Sequence, residues 1–266
     1  MTPRLTATRA TAALGIVLAV SAGVRARAPS GPAASTPVIV ELFTSEGCSS
    51  CPPADNLLRS LTRLQPVQGV VIIPLSQHVD YWDRLGWRDR FSSPKFTERQ
   101  RAYAEALGVG SIYTPQLVID GRVELVGSLG RQAGDEIRLA GDAPKTPIAV
   151  EATPTPGRPE VTLAAVVGAP PVGSESRADV WLAITENGLM TDVKAGENMF
   201  RRLHHTGVVR HLERLGSVPA ENVTPRRLEA RVHLAPEWGR ESLRAVVFLQ
   251  DPVTLYISGA AQTAID

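Results

Sequence analysis

Two cysteines separated by two serines, Cys48-Ser49-Ser50-Cys51, stand where an apolar, β-branched run gives way to a helical one. Val38 to Leu42 reads as a buried strand, and Thr44 to Gly47 as a polar turn. After the cysteines, Leu57, Leu58, Leu61 and Leu64 recur at helical spacing, so a helix packs back on the strand. These are the only two cysteines of the 266-residue chain. A staple between them would close a four-residue loop and stabilise by only ~2 kcal/mol, against ~3 kcal/mol for fifteen residues. A fold in need of a cross-link would join distant segments.

The strand, turn, Cys-x-x-Cys, helix layout is that of a thioredoxin-like redox site. In such a site the thiolate is the nucleophile, and a helix N-terminus stabilises it. Cys48 would attack a partner disulfide and Cys51 resolve the mixed disulfide. A passive bridge and a metal-binding pair are the alternatives. Pro52 and Pro53 lack an N–H, so the helix starts at one of them and the dipole acts less on Cys48.

Further along, Gly69 to Ser76 reads as a second strand, parallel to the first through a β-α-β unit. It runs into Gln77-His78-Val79-Asp80-Tyr81-Trp82-Asp83. Chemistry collects beyond the carboxyl ends of parallel strands. His78, Asp80, Tyr81 and Trp82 are therefore expected as a wall beside Cys48 that binds substrate; in the alternative, Trp82 and Trp87 cover a core edge and His78 hydrogen-bonds a backbone carbonyl. Ser93 caps and Pro94 opens the next helix, with Phe96, Tyr103, Ala106 and Leu107 inward and Arg99 and Arg101 on a solvated face. Thr114-Pro115 precedes a strand over Leu117 to Ile119. Asp120-Gly121 turns it into Val123 to Val126, and Ser128 is read as the cap of a last helix over Leu129 to Ala140.

The N-terminus reads as a targeting signal. Arg4 and Arg9 precede an apolar run, Ala12 to Val24, with small-residue cleavage sites by Ala28. The expected organisation is a signal peptide over 1–28, cleaved or retained as an anchor, and a linker over 29–36. The chain is then periplasmic or secreted, where disulfides persist. Its 28 basic and 27 acidic residues nearly cancel without a charge block, which argues against nucleic acid as a partner.

Glu41 to Asp55, His78 to Asp83, Leu85-Gly86-Trp87 and Tyr113-Thr114-Pro115-Gln116 resemble a family of secreted bacterial proteins catalogued as domain of unknown function 1223. Gly196-Glu197-Asn198 and Val208-Val209-Arg210 look similar too. The resemblance implies a thioredoxin-like fold and export, and brings no substrate. A thioredoxin-like fold places a cis proline at Pro115, facing the cysteines, with Thr114 and Pro115 docking an extended partner; an ordinary trans proline at a strand start is the alternative. The resemblance also implies a place for a buried proton-relay acid on the first strand, which Glu41 occupies one residue further from the cysteines than usual. The alternative is that Glu41 faces solvent or a backbone N–H.

Residues 141–159, rich in Pro, Thr and Gly, read as a boundary. Beyond them come strand-like segments at 161–167, 179–186, 228–234, 243–250 and 255–258, and a stretch over 203–215 that fits helix or strand. The expected architecture is an α/β thioredoxin-like domain over 37–141 followed by a small all-β sandwich-like domain over 142–266. His204, His205 and His211 are read as core-edge or solvated histidines rather than metal ligands. The expected activity is thiol–disulfide exchange with a disulfide- or thiol-bearing protein or a small thiol, with no cofactor. A non-catalytic binding module with a resting disulfide and a copper carrier using the same thiols are the alternatives.

Overall fold

The computed structural model describes residues 1–2, 35–172, 176–221 and 224–265. The expected signal peptide from residue 3 onward and most of the expected linker lie outside them. β1 (Thr36–Thr44) is the apolar run ahead of the cysteines, and β2 (Val70–His78) lies parallel to it from Thr36↔Val70 to Thr44↔His78. β3 (Gln116–Ile119) pairs antiparallel on the other side of β1 and turns through Asp120 and Gly121, both at positive φ, into β4 (Val123–Val126). α1 (Pro52–Leu64) and α3 (Gly130–Gly141) cover one sheet face, packing Ala54, Leu58, Leu61, Ala133 and Ile137 on Val38, Val40, Leu42 and Ile72. α2 (Pro94–Ala106) covers the opposite face through Phe96 and Tyr103.

Local details follow and depart from the pattern. Ser93 Oγ accepts from Lys95 N at the start of α2, as its position predicts. Ser128 does not cap α3; Leu129 stands there and makes no side-chain cap. Ala106 is exposed, whereas Thr97, Gln100 and Ala104 are buried. Arg99 does not lie on a solvated face: its side chain is only 8% exposed, drawn inward by an acid beneath it.

The remaining chain is β: β5 (Ile148–Pro154), β6 (Glu160–Val167), β7 (Ala178–Glu186), β8 (Leu189–Asp192), β9 (Arg202–His205), β10 (Val208–Val218), β11 (Arg226–His233), β12 (Leu243–Gln250) and β13 (Ile257–Ala264). The stretch over 203–215 is thus strand, broken by a turn at 206–207.

The expectation of an α/β thioredoxin-like domain followed by a small all-β domain is not met. The chain is mostly β. One mixed eight-stranded sheet, in the order β13-β12-β7-β10-β2-β1-β3-β4, takes strands from both sides of residue 141. A sandwich does form, with β11-β6-β5 packing Val161, Leu163 and Val167 on Leu182, Ile184, Leu243 and Val247. Its larger layer, however, is the continuation of the sheet that carries the cysteines. The seam lies between β10 and β2, where Ser76 N donates to Gly207 O at 2.7 Å and Val208 pairs with Ser76. The two-residue alternation puts Pro74 on the same side, where it has no N–H to offer, so the pairing stops there. Behind the seam one apolar cluster joins Ile39, Ile73 and Leu75 to Ala183, Val246 and Phe248. Local composition at 141–159 marked a turn-rich connection, but nothing in it registers which strand edge a distant segment will occupy.

Candidate functional site

Cys48 and Cys51 are joined as a disulfide, and both are fully buried. Cys51 stands at the N-cap of α1 with helical backbone angles. Pro52 and Pro53 contribute no N–H, and the next two amides, Ala54 N and Asp55 N, both bond Cys51 O at 2.9 and 3.1 Å. The first turn therefore keeps no free amide for a thiolate. Hydroxyls stand at Cys48 instead. Thr114 Oγ1 donates to Cys48 Sγ at 3.3 Å, and Ser50 Oγ lies 3.4 Å from the same sulfur. Trp82 Nε1 holds the Thr114 hydroxyl at 2.9 Å. The Thr114–Pro115 peptide is cis.

A loop from the second half closes over the cysteine turn. Asn198 Nδ2 donates to Glu46 O and Cys48 O, each at 2.9 Å, and Glu197 Oε2 accepts from Ser49 N at 3.1 Å. Gly196 makes this approach possible: it has a φ of +74°, and a Cβ there would lie 3.0 Å from Trp87 Cβ. The exposed Glu197 carboxyl sits below its usual range through the bond to Ser49.

Of the predicted wall, Trp82 hydrogen-bonds to Thr114 at the cysteine site, and Tyr81 also interacts with the Thr114 side chain. Asp80 accepts from Thr97 Oγ1 at 2.6 Å and anchors α2, and Tyr81 OH donates to Gln100 Oε1 at 3.2 Å. His78 is fully buried, with Nδ1 2.6 Å from Asp89 Oδ2. Burial alone would lower its pKa; the Asp89 carboxylate outweighs this and raises it. Burial would raise Asp89, and the His78 charge instead holds it below the usual carboxylate range. Each group thus favours the charged form of the other.

Glu41 is buried on the α2 face, since it shares its side of β1 with Ile39 and Phe43 and not with Val40 and Leu42, which meet α1. Its oxygens accept from Arg99 Nε at 2.7 Å, Arg99 Nη2 at 2.9 Å, Gln77 Nε2 and Tyr103 OH. Burial would lower the Arg99 pKa, and Glu41 raises it above its ordinary value. The strand alternation thus turns Glu41 away from the helix that carries Cys51, and four donors occupy it.

The acids on the cysteine side are others. Glu46, Asp55, Asp89 and the imidazoles of His78 and His205 are all buried. His205 Nε2 lies 3.2 Å from Glu46 Oε1, Trp87 Nε1 donates to Glu46 Oε2 at 2.8 Å, and the His78 and His205 rings meet edge to face at 5.0 Å. Asp55 could have been found from its place on the 51-54/55-58-61 stripe of α1. Asp89, between Arg88 and Arg90, reads as a solvated charge, and nothing in the sequence marks it. His204 lines a surface cavity, and the half-exposed His211 lies 3.3 Å from Glu213. Among the described residues no group of three or more His, Cys, Asp or Glu side chains is placed to hold a metal ion.

The family model described as a protein of unknown function, DUF1223, matches residues 39–250, a span that includes the cysteine turn, the seam and the closing loop. The chain belongs to the DUF1223 family. A crystal structure of an Agrobacterium tumefaciens protein from a structural-genomics programme is 30% identical, with 87% of this chain and 96% of that one covered and a TM-score of 0.65. HBP35 of Porphyromonas gingivalis, 14% identical over 87% of this chain and 76% of that one at a TM-score of 0.57, shares the fold. No curated protein matches the chain. No described helix is long and apolar enough to cross a membrane.

Proposed function

We propose that this DUF1223 chain is an exported thiol–disulfide oxidoreductase in which Cys48 exchanges with a thiol- or disulfide-bearing partner and Cys51 resolves the intermediate. The observation that carries this reading is the pair of hydroxyls at one sulfur only. Thr114 Oγ1 and Ser50 Oγ both lie within 3.4 Å of Cys48 Sγ. A thiolate is stabilised by donors aimed at it, so Cys48 is the sulfur prepared to carry charge. The exposed Ser49 and Ser50 mark the side from which a partner arrives. The N-terminal segment supports export by its composition alone.

One observation favours a second reading. Both sulfurs are fully buried, as befits a resting disulfide in a binding module. A redox titration separates the two. An exchanging pair has a potential between about −120 and −270 mV, and a structural bridge lies below about −300 mV. In the reduced protein, Thr114→Val should raise the Cys48 thiol pKa by about one unit, the worth of one lost hydrogen bond to a charged sulfur, read from thiolate absorbance against pH. A potential below the exchanging range together with an unmoved pKa would leave only the resting bridge.

A further inference from the structure

Beneath the cysteine turn lies a buried group of ionisable side chains that thiol exchange at Cys48 alone does not use. Asp55 is its outermost member. It sits four residues after Cys51 on α1, with its own N–H bonded to Cys51 O at 3.1 Å. Side chains four apart on a helix share one face. Inward, the Asp55 carboxyl faces His205 of β9, His78 and Thr44 at the paired ends of β2 and β1, and, further off, Asp89. Glu46 of the cysteine turn closes the group from the other side of His205. His78 Nε2 and His205 Nδ1 are buried without hydrogen-bond partners among the described residues. A buried nitrogen left unpaired costs about 1–3 kcal/mol, so such atoms call for an explanation. Outward, Asp55 lines a surface cavity of about 280 Å³ with Pro52, Asn56, Arg201, Arg202 and His204. Asp55 alone is shared between the cavity and the buried group.

We infer that Asp55 is the proton port of Cys51: it gives a proton to the Cys51 thiolate as the disulfide opens, takes it back as the disulfide closes, and exchanges it with solvent through the cavity. This rests on the redox reading above. In the opening step a partner thiolate attacks Cys48 Sγ. The Cys48–Cys51 bond breaks, a Cys48–partner disulfide forms, and the electron pair leaves on Cys51 Sγ. The Asp55 carboxyl hydrogen moves to that sulfur, leaving a carboxylate that the neighbouring imidazoles stabilise. A second partner thiolate then attacks the partner sulfur and releases Cys48 as a thiolate. Two partner thiolates become one disulfide, and the enzyme disulfide becomes the Cys48 thiolate and the Cys51 thiol, with Asp55 left as a carboxylate that regains its proton from solvent. Burial pushes the Asp55 carboxyl up, against the opposing pull of His205 and His78, so a proton is held at a pH where an exposed aspartate has lost it.

The test is the rate of disulfide opening by dithiothreitol in the full chain, from pH 5 to pH 9, in wild type, Asp55→Asn and His205→Gln. Asp55→Asn keeps the shape and loses the proton. Its rate should fall by about tenfold or more at the acid end and converge with wild type at pH 9, where Cys51 can leave as the bare thiolate. His205→Gln should move the step to higher pH without removing it, because His205 pulls the Asp55 pKa down. An Asp55→Asn rate changed by one constant factor at every pH, or unchanged throughout, overturns the proton port while leaving thiol exchange intact. A wild-type disulfide that dithiothreitol does not open at any pH overturns both.

Discussion

His78 and Asp89 hold each other's charge at 2.6 Å in a fully buried setting, and their linkage has opposite signs. The folded pKa of His78 is raised above 6.5, because Asp89 overrides burial, so its contribution is full below 6.5 and is lost as pH rises through the folded value. The folded pKa of Asp89 is lowered below 3.8, so its contribution is present above 3.8 and is lost as pH falls through the folded value. Asp55, raised by burial, adds a further loss as pH rises. Stability should therefore peak in mild acid. Asp89→Asn removes one partner of a buried pair and should cost about 3–5 kcal/mol at pH 6, the gap narrowing toward pH 9 as His78 loses its proton; urea unfolding across this range measures both. At this scale the sequence was partly legible. Cys48, Cys51 and Thr114 stand in the motif and the structure brings them together. Arg99 was misread as solvated because helical spacing does not reveal a buried acid across the interface, and an arginine stem can lie along apolar surface while its head turns in.

The elements that close the site are short and tightly placed. Gly207, between β9 and β10, is such a point. It has a φ of +63°, and a Cβ there would come within 2.8 Å of Pro74 O and of the proline ring. The left-handed backbone alone costs an alanine about 1–2 kcal/mol, and the clash with backbone adds to it. Gly207→Ala should thus destabilise by more than 2 kcal/mol by the same reckoning, read from the urea midpoint at unchanged m-value. It should loosen the seam and, with it, the loop that carries Glu197 and Asn198 to the cysteines. Strand and helix identities in the first half followed from periodicity, as did most strands of the second. The helix-or-strand choice over 203–215 did not, because Val208, Val209, Leu212 and Leu215 satisfy either period and only pairing with β7 and β2 resolves it.

Across the whole molecule, the shared sheet makes the two halves depend on each other. Arg99 reaches from α2 to Gln250 at 3.0 Å and lies over the rings of Trp181 and Phe248 at 5.6 and 5.5 Å. Asp120 O accepts from Ile257 N at 2.8 Å. Variants keeping only Trp82 or only Trp238, the other tryptophans replaced by phenylalanine, should report coincident urea transitions from the cysteine site and from the sandwich. Two separated transitions would mean that the apolar cluster across the seam couples the halves too weakly to matter.

The local alternation of strand, turn, cysteine pair and helix follows from neighbouring residues alone, because periodicity and turn chemistry act over a few residues. Long-range packing sets the rest: the sheet runs on through β10 into the second half, Glu41 faces away from the cysteines, and Asp55, His78, Asp89 and His205 gather behind them. Those outcomes depend on which strand edges pair and which faces are covered. Unpaired backbone donors and distant counter-charges impose them, and neither leaves a mark on the neighbouring residues of the chain.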